Sequence, residues 1–254
     1  MTALITLSHG SRHPAAAPHV EALTRAAGLL AGVPAMAAHL EFNEPTLESA
    51  TQELAQRGER DAVVVPLLFT EGYHQRVDVP AAINGATASS GLPLRRARGL
   101  GTGEDMAQLL AAQVPAGSDK VVVYSVGSSD EQANAAVADL ARRVGELTGC
   151  EAEAAYATRD ARDAHARDAH ARDAHARDAH ASRSENRNRE AGRIASSSHS
   201  EVVVPLFVSP GLLLDRLASH SDNPSNPQHR KVLPPLGESL ADIVSRRFQE
   251  VAHA

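Results

Sequence analysis

The chain has 254 residues, of which 43% are hydrophobic and 22% charged, with a formal net charge of -6 and a pI near 6.1. This composition predicts a soluble globular protein of one large or two smaller domains. Its acidic balance argues against a general binder of nucleic acids or anionic membranes. The single cysteine, Cys150, excludes an internal disulfide, and no apolar run is long enough for a signal peptide or a membrane helix. We therefore expect a cytoplasmic protein.

Short apolar runs alternate with longer segments of helical period, which predicts a succession of βαβ units. In the first half we predict strands near Leu4–Ser8, Met36–Phe42, Ala62–Leu67 and Leu94–Ala97. Helices are predicted near Ala15–Leu30, Thr46–Arg57, Val77–Ala86 and Glu104–Gln113. Asn43 or Glu44 is the expected N-cap of the second helix.

The same order of segments recurs in the second half. KVVVYSVGSSD (120–130) matches LITLSHGSR (4–12), and VVVPLFVSPGLLLDR (202–216) matches VVVPLLFTEGYHQR (63–76). The sequence thus predicts an α/β fold of two duplicated flavodoxin-like, three-layer domains, each with a mainly four-stranded parallel sheet. We place these domains at residues 1–114 and 115–254.

The repeat keeps its strands but loses its histidines in the second copy. Val126 falls opposite His9, and Leu213 falls opposite His74. We interpret Val126 and Leu213 as positions released from chemistry and used for packing. The strand EAEAAYA places Tyr156 or its neighbour Ala155 opposite Glu41. The pattern predicts a duplicated scaffold with one working site, in the first half.

Four perfect copies of ARDAH fill residues 161–180 of the second half. Arginine and aspartate balance in each copy, and no residue is apolar and larger than alanine, so the tract has nothing to bury. We predict an insertion into the repeat. Two explanations stay open: expansion of a simple repeat in a tolerant loop, or a loose metal reservoir at His165, His170, His175 and His180.

Three polar side chains follow three strands that should be neighbours. In a flavodoxin-like half the strand order is 2-1-3-4, and ligands bind outside the carboxyl ends of the strands. His9 follows strand 1, Glu41 lies near the end of strand 2, and His74 lies in the loop after strand 3. Because adjacent strands are about 4.8 Å apart, we expect these side chains to converge.

Two imidazoles and a carboxylate suit Fe²⁺, Co²⁺, Ni²⁺ or Zn²⁺ and leave coordination positions open. Each residue alone also fits a structural role, since His74 could be a surface residue and Glu41 could pair with an arginine. Their joint placement favours a metal site.

SHGSRHP, LEFNEPT, VVVPLLFTEGYHQRVDVP and GLGTGED, in that order, resemble the class II tetrapyrrole chelatases. The similarity is greatest to the long, two-domain sirohydrochlorin chelatases of the CbiX/SirB type. It covers the chain except the ARDAH tract and the polar loop at 221–229. The ARDAH insertion departs from the family, which normally has a short connection there.

The resemblance implies two chelatase-like domains and insertion of Fe²⁺ or Co²⁺ into sirohydrochlorin, for siroheme or cobalamin synthesis. It implies that His9 and His74 bind the metal, with Glu41 as their acidic partner, and that the metal is a substrate rather than a permanent cofactor. Sirohydrochlorin carries eight carboxylates, so Arg12 and Arg76, with Ser11, are the expected substrate-binding residues. The competing interpretation is a non-catalytic metal-binding protein or metallochaperone that uses the ARDAH tract. The physiological metal and the oligomeric state stay open.

Overall fold

The computed structural model describes residues 1–70, 74–158, 200–221 and 230–253, so the ARDAH tract at 161–180 lies outside the described residues. The strands are β1 (Thr2–Ser8), β2 (Ala35–His39), β3 (Asp61–Pro66), β4 (Leu94–Arg96), β5 (Lys120–Ser125), β6 (Glu151–Tyr156), β7 (Glu201–Pro205) and β8 (Arg230–Val232). The α-helices are α1 (Ala16–Ala31), α2 (Leu47–Gln56), α3 (Val79–Ser90), α4 (Glu104–Gln113), α5 (Glu131–Thr148), α6 (Leu212–Ser221) and α7 (Ala241–Ala252). A π-helical turn, His74–Asp78, precedes α3, and a 3₁₀ turn, Gly237–Leu240, precedes α7.

Two four-stranded parallel sheets form the framework, in the orders β2-β1-β3-β4 and β6-β5-β7-β8. The predicted fold class is confirmed, and so is the strand order 2-1-3-4 expected of a flavodoxin-like half. The central strands carry valine and leucine on both faces, as strands covered by helices on two sides must. Val63, Val64 and Val65 of β3, for example, are all fully buried.

The strand β2 is shorter than predicted, which moves Glu41 out of the sheet. β2 ends at His39, three residues before the predicted end at Phe42. Phe42 has φ +64°, a left-handed conformation that an extended strand cannot continue through. The N-cap prediction was also wrong, because Thr46 caps α2 by accepting a hydrogen bond from the Ser49 N–H (3.2 Å).

The two halves share a hydrophobic core because each contributes its last helix to the other. α7 of the second half packs on α1 and β3 of the first half, while α4 of the first half packs on α5 of the second. One core cluster accordingly joins Leu4 and Val63 to Val121, Val204 and Phe248. The domain boundary predicted at 114/115 falls between α4 and β5 and stays a prediction.

Arg247 anchors α7 to the first half. Its side chain is 1% exposed. Nε donates to the carbonyl of Gly99 (3.2 Å), and Nη2 donates to the carbonyl of Leu100 (3.0 Å) and to Asp105 Oδ2 (2.6 Å). Burial raises the pKa of Asp105, but the hydrogen bond and charge of Arg247 outweigh that effect and the pKa is lowered overall. The guanidinium therefore compensates both a partly buried carboxylate and two buried carbonyls.

Replacing Arg247 with methionine should lower the free energy of unfolding by about 3 kcal/mol, since it leaves Asp105 charged and partly buried without its partner. The matched control is Arg246→Met. Arg246 is its neighbour on α7, is 48% exposed and pairs with Asp242 one turn away, so we expect a change of about 0.5 kcal/mol or less. Urea unfolding of the two variants checks this, and equal losses would contradict the anchoring role.

Within the described ranges, no helix is both long and apolar enough to cross a membrane.

Candidate active site

A cleft of ≈ 970 Å³ opens where the carboxyl ends of the two sheets face each other. Its first wall comes from the loops after β1, β2 and β3, and its second wall from the loops after β5 and β7. His9 and Arg12 lie on the first wall, and Val126, Asp130 and Leu213 on the second. Both halves line this cleft, and the prediction that the first half carries the working site stays a prediction.

The loop after β1 is held by the loop after β2. The Glu41 N–H donates to the carbonyl of His9 (3.0 Å), and the Ser11 N–H donates to Asn43 Oδ1 (2.8 Å). Gly10, between them, has φ +93°, and a Cβ placed there would lie 1.8 Å from the carbonyl oxygen of Glu41. Glycine is therefore required for the close approach of the two loops. This approach fixes the backbone of His9 at the cleft.

Phe42 contacts the side chains of both Arg12 and His9 in the loop after β1. The Arg12 guanidinium lies 4.9 Å from the centre of the Phe42 ring, and the His9 ring meets Phe42 edge to face at 6.2 Å. Cation–π and edge-to-face contacts of this kind favour one orientation of each partner. Phe42 is 52% exposed and lines the cleft. No sequence pattern singles out Phe42, beyond its place next to Glu41.

The structure brings four of the six predicted site residues to the cleft. His9, Ser11, Arg12 and Arg76 line it. Glu41 is exposed on the loop after β2, beside His9 through the backbone bond described above. His74 begins the π-helical turn after β3, and its side chain is outside the described part of the structure.

Among the described side chains, no group of three or more histidine, cysteine, aspartate or glutamate residues is close enough to hold a metal ion. Because the predicted trio includes His74, the metal site at His9, Glu41 and His74 stays a prediction.

A second histidine, His39, lies in the cleft and was missed by the sequence analysis. It pairs with Ser8 across the ends of β2 and β1, is 1% exposed, and has its Nδ1 2.7 Å from Ser8 Oγ. Its Nε2 has no hydrogen-bond partner among the described residues. The available signal was its position two residues before Glu41. In the predicted strand, residues 39 and 41 would share one face of the sheet.

His39 should make the protein less stable in mild acid. Burial lowers the pKa of His39, against smaller opposing effects of Glu21 and Glu44. Below about pH 6.5, the unfolded chain therefore binds a proton that the folded chain does not, and stability falls as the pH drops. Urea unfolding at pH 7.5 and 5.5 should show a smaller loss for His39→Asn than for the unchanged protein. Equal losses would show that His39 does not contribute.

The strand register corrects the alignment of the two halves at this point. Ser125 pairs with Tyr156 as Ser8 pairs with His39, so Tyr156 is the counterpart of His39 rather than of Glu41. The counterpart of Glu41 is Thr158, whose N–H donates to the carbonyl of Val126 (3.1 Å).

Val126 and Leu213, which stand opposite His9 and His74, were interpreted as packing positions. This is right for Leu213 but not for Val126. Leu213 is partly buried and packs against the small core around Tyr124 and Val203. Val126 is 42% exposed and lines the cleft. The interpretation was therefore wrong for Val126, because the loop after β5 turns this side chain toward the cleft rather than into the core.

The sequence model of the CbiX family matches residues 3–116. The sirohydrochlorin cobaltochelatase of Priestia megaterium is 25% identical over 158 residues, which is 58% of this chain and 52% of that protein. The sirohydrochlorin cobaltochelatase of Sulfurisphaera tokodaii is 33% identical over 75 residues, 30% of this chain and 60% of the relative. The chain thus spans about half the length of the curated relatives it matches.

Solved structures agree with the fold over both halves. The crystal structure of the sirohydrochlorin chelatase SirB from Bacillus subtilis subspecies spizizenii has a TM-score of 0.67 at 20% identity, covering 98% of this chain and 93% of that one. CbiX, described as the terminal enzyme for biosynthesis of siroheme in denitrifying bacteria, has a TM-score of 0.61 at 16% identity, covering 99% of each chain. The CbiX family match covers residues 3–116, less than half of the chain, and the two solved structures, at 20% and 16% identity, show that the whole chain shares their fold.

Proposed function

We propose that this protein inserts a divalent metal ion, Fe²⁺ or Co²⁺, into sirohydrochlorin or a closely related tetrapyrrole. The observation that carries the proposal is the ≈ 970 Å³ cleft, with His9 at the end of a central strand and Arg12 and Arg76 on its lining. A cleft of this size suits a large flat macrocycle, and arginines suit its carboxylates. Relatives named sirohydrochlorin cobaltochelatases support this substrate and cobalt as the metal. SirB structures solved with cobalt and with Fe³⁺ are consistent with a site for cobalt or iron.

His9 and His74 are the proposed metal-binding pair. They follow β1 and β3, which are hydrogen-bonded neighbours in the sheet. Glu41 is their proposed acidic partner, since its backbone is held beside that of His9. The metal is a substrate, and two neutral imidazoles hold it less tightly than a closed four-ligand site would. Such a site can release the ion to the macrocycle.

Insertion of the metal removes two pyrrole N–H protons and strips water from the ion. In the proposed reaction a histidine and Glu41 each accept one of the two protons and return it to solvent. Arg12, Arg76 and Ser11 bind carboxylates of the macrocycle and orient its ring. Phe42 contributes by keeping Arg12 and His9 in fixed orientations.

The test is an absorbance assay with metal-free sirohydrochlorin and Fe²⁺, Co²⁺ or Ni²⁺ in turn. We expect catalytic amounts of protein to accelerate insertion above the uncatalysed rate with at least one ion. Stoichiometric metal binding without acceleration by any of the three would overturn the proposal and favour the metallochaperone, which the relatives do not favour. A cytoplasmic location, without a nucleic-acid or membrane partner, belongs to the same proposal.

A further inference from the structure

Two contacts between a nitrogen donor and a carboxylate join the halves beside the cleft. Arg76 Nη2 lies 3.1 Å from Asp130 Oδ2, and His13 Nε2 lies 3.4 Å from Asp215 Oδ2. In each pair the nitrogen donor belongs to the first half and the carboxylate to the second.

The two pairs are equivalent under the internal repeat. His13 and Asp130 are 117 positions apart, as His9 and Val126 are, and Arg76 and Asp215 are 139 apart, as His74 and Leu213 are. Each pair therefore joins the loop after the first strand of one half to the segment after the third strand of the other. The same contact is made twice, with the donor always on the first half.

The local geometry confirms the equivalence. The His13 N–H donates to Ser11 Oγ (3.1 Å), as the Asp130 N–H donates to Ser128 Oγ (3.1 Å). The Ala15 N–H donates to His13 Nδ1 (3.2 Å), as the Gln132 N–H donates to Asp130 Oδ1 (2.9 Å). Asp130 is thereby fixed as the N-cap of α5, so its second oxygen reaches Arg76 from a rigid position.

Only one of the two pairs lines the cleft. Arg76 and Asp130 are both on its lining, whereas His13 and Asp215 are not. The Arg76 side chain is 57% exposed, and a long exposed side chain samples many rotamers unless something holds it. The bond to Asp130 uses one Nη2–H of the five N–H groups of a guanidinium, so other donors remain to bind a carboxylate.

We propose that Asp130 is a positioning residue for the substrate, and this rests on the proposed function. Asp130 holds Arg76 across the cleft so that Arg76 receives a carboxylate of the macrocycle, and its own charge repels carboxylates from the second wall. The donor on the first wall and the carboxylate on the second wall therefore orient a polyanionic ring toward the half that carries His9. The second half, whose strand ends lack the two histidines, sets the direction of binding.

A charge swap tests this, because it keeps an ion pair across the cleft and reverses its direction. We expect Arg76→Asp to raise KM for sirohydrochlorin about tenfold. Arg76→Asp combined with Asp130→Arg should leave KM raised by about the same factor, because the guanidinium then lies on the second wall. A swap that returns KM to within about twofold of the original value would overturn the proposal. It would show that the ion pair joins the halves equally well in either direction.

Two further variants separate positioning from folding. Asp130→Asn keeps a good N-cap for α5 but removes the charge, and we expect KM to rise about threefold with kcat within about twofold. An unchanged or lower KM would contradict the proposal. The matched control swaps the repeat-equivalent pair, His13→Asp with Asp215→His, and should leave KM within about twofold. A rise in this control equal to that of the Arg76–Asp130 swap would also contradict it.

Failure of the proposed function would be visible separately. If the unchanged protein does not accelerate metal insertion, the same variants can be compared by their affinity for uroporphyrin, a metal-free macrocycle with eight carboxylates, in an absorbance titration. The expected order of affinities is the same, with the two Arg76 variants about tenfold weaker than the unchanged protein. Equal affinities would overturn the positioning role whatever the reaction is.

Discussion

His9→Ala and His74→Ala should each reduce the rate of metal insertion at least about tenfold, with no change in thermal stability beyond a few degrees. The physical reason is that each substitution removes one of two imidazoles expected to bind the ion, and neither side chain is needed for the sheet. His9 lies beyond the last residue of β1, and His74 lies beyond β3 in the π-helical turn.

The matched control is His19→Ala. His19 is an exposed histidine on α1, and its Nδ1 contacts only the carbonyl of Ala15 one turn away (2.8 Å). The control should retain the original rate within about twofold. Rates are measured with sirohydrochlorin at limiting and at saturating metal, since loss of a ligand should be partly relieved by excess ion. Near-normal turnover in both active-site variants would exclude the proposed metal pair.

Gly10→Ala should destabilise the protein by about 4 kcal/mol and abolish the cleft's first wall. Two effects add at this position. The φ of +93° is unfavourable for any residue with a Cβ, and the added methyl would lie 1.8 Å from a backbone oxygen of Glu41. A backbone carbonyl cannot rotate away as a side chain can, so the loops after β1 and β2 must separate.

Gly32→Ala shows the first effect, the positive φ, without the second, the clash with a backbone oxygen. Gly32 ends α1 with φ +68°, and nothing lies within 4 Å of its added Cβ. This control should show only the conformational penalty, about 1 kcal/mol. Denaturant unfolding of both variants measures the difference. If Gly10→Ala and Gly32→Ala lower the free energy of unfolding equally, the close approach of the two loops does not contribute to stability.

Local sequence patterns predicted much of the fold. The valine runs at 63–65 and 202–204 are long enough and apolar enough to be central strands, and both are. The flavodoxin-like pattern predicted the strand order of the first sheet, and the repeat carried the same order to the second sheet. The end of β2 was missed because MAAHLEF reads as a continuous strand, and nothing in it signals the positive φ of Phe42.

The site was harder to predict because its parts come from separate segments. His9 and Arg76 could be proposed from their places after strands, since that position depends only on local pattern. The Asp130 contact could not, because it requires the two halves to face each other across the cleft. His39 was also missed, since a histidine inside a strand is recognisable as a cleft residue only when its neighbour Ser8 is placed beside it.

The exchange of last helices has a consequence for how the protein is made. α7 covers β3 and α1 of the first half, yet it lies more than a hundred residues later in the chain than either. During synthesis from the amino terminus, the part of the first sheet around β3 that α7 covers therefore stays exposed until residues 241–252 have been made. Contacts of such long range slow folding and expose apolar surface to other chains. Truncation just before α7 should for that reason unfold the half that carries His9 rather than the half from which residues were removed.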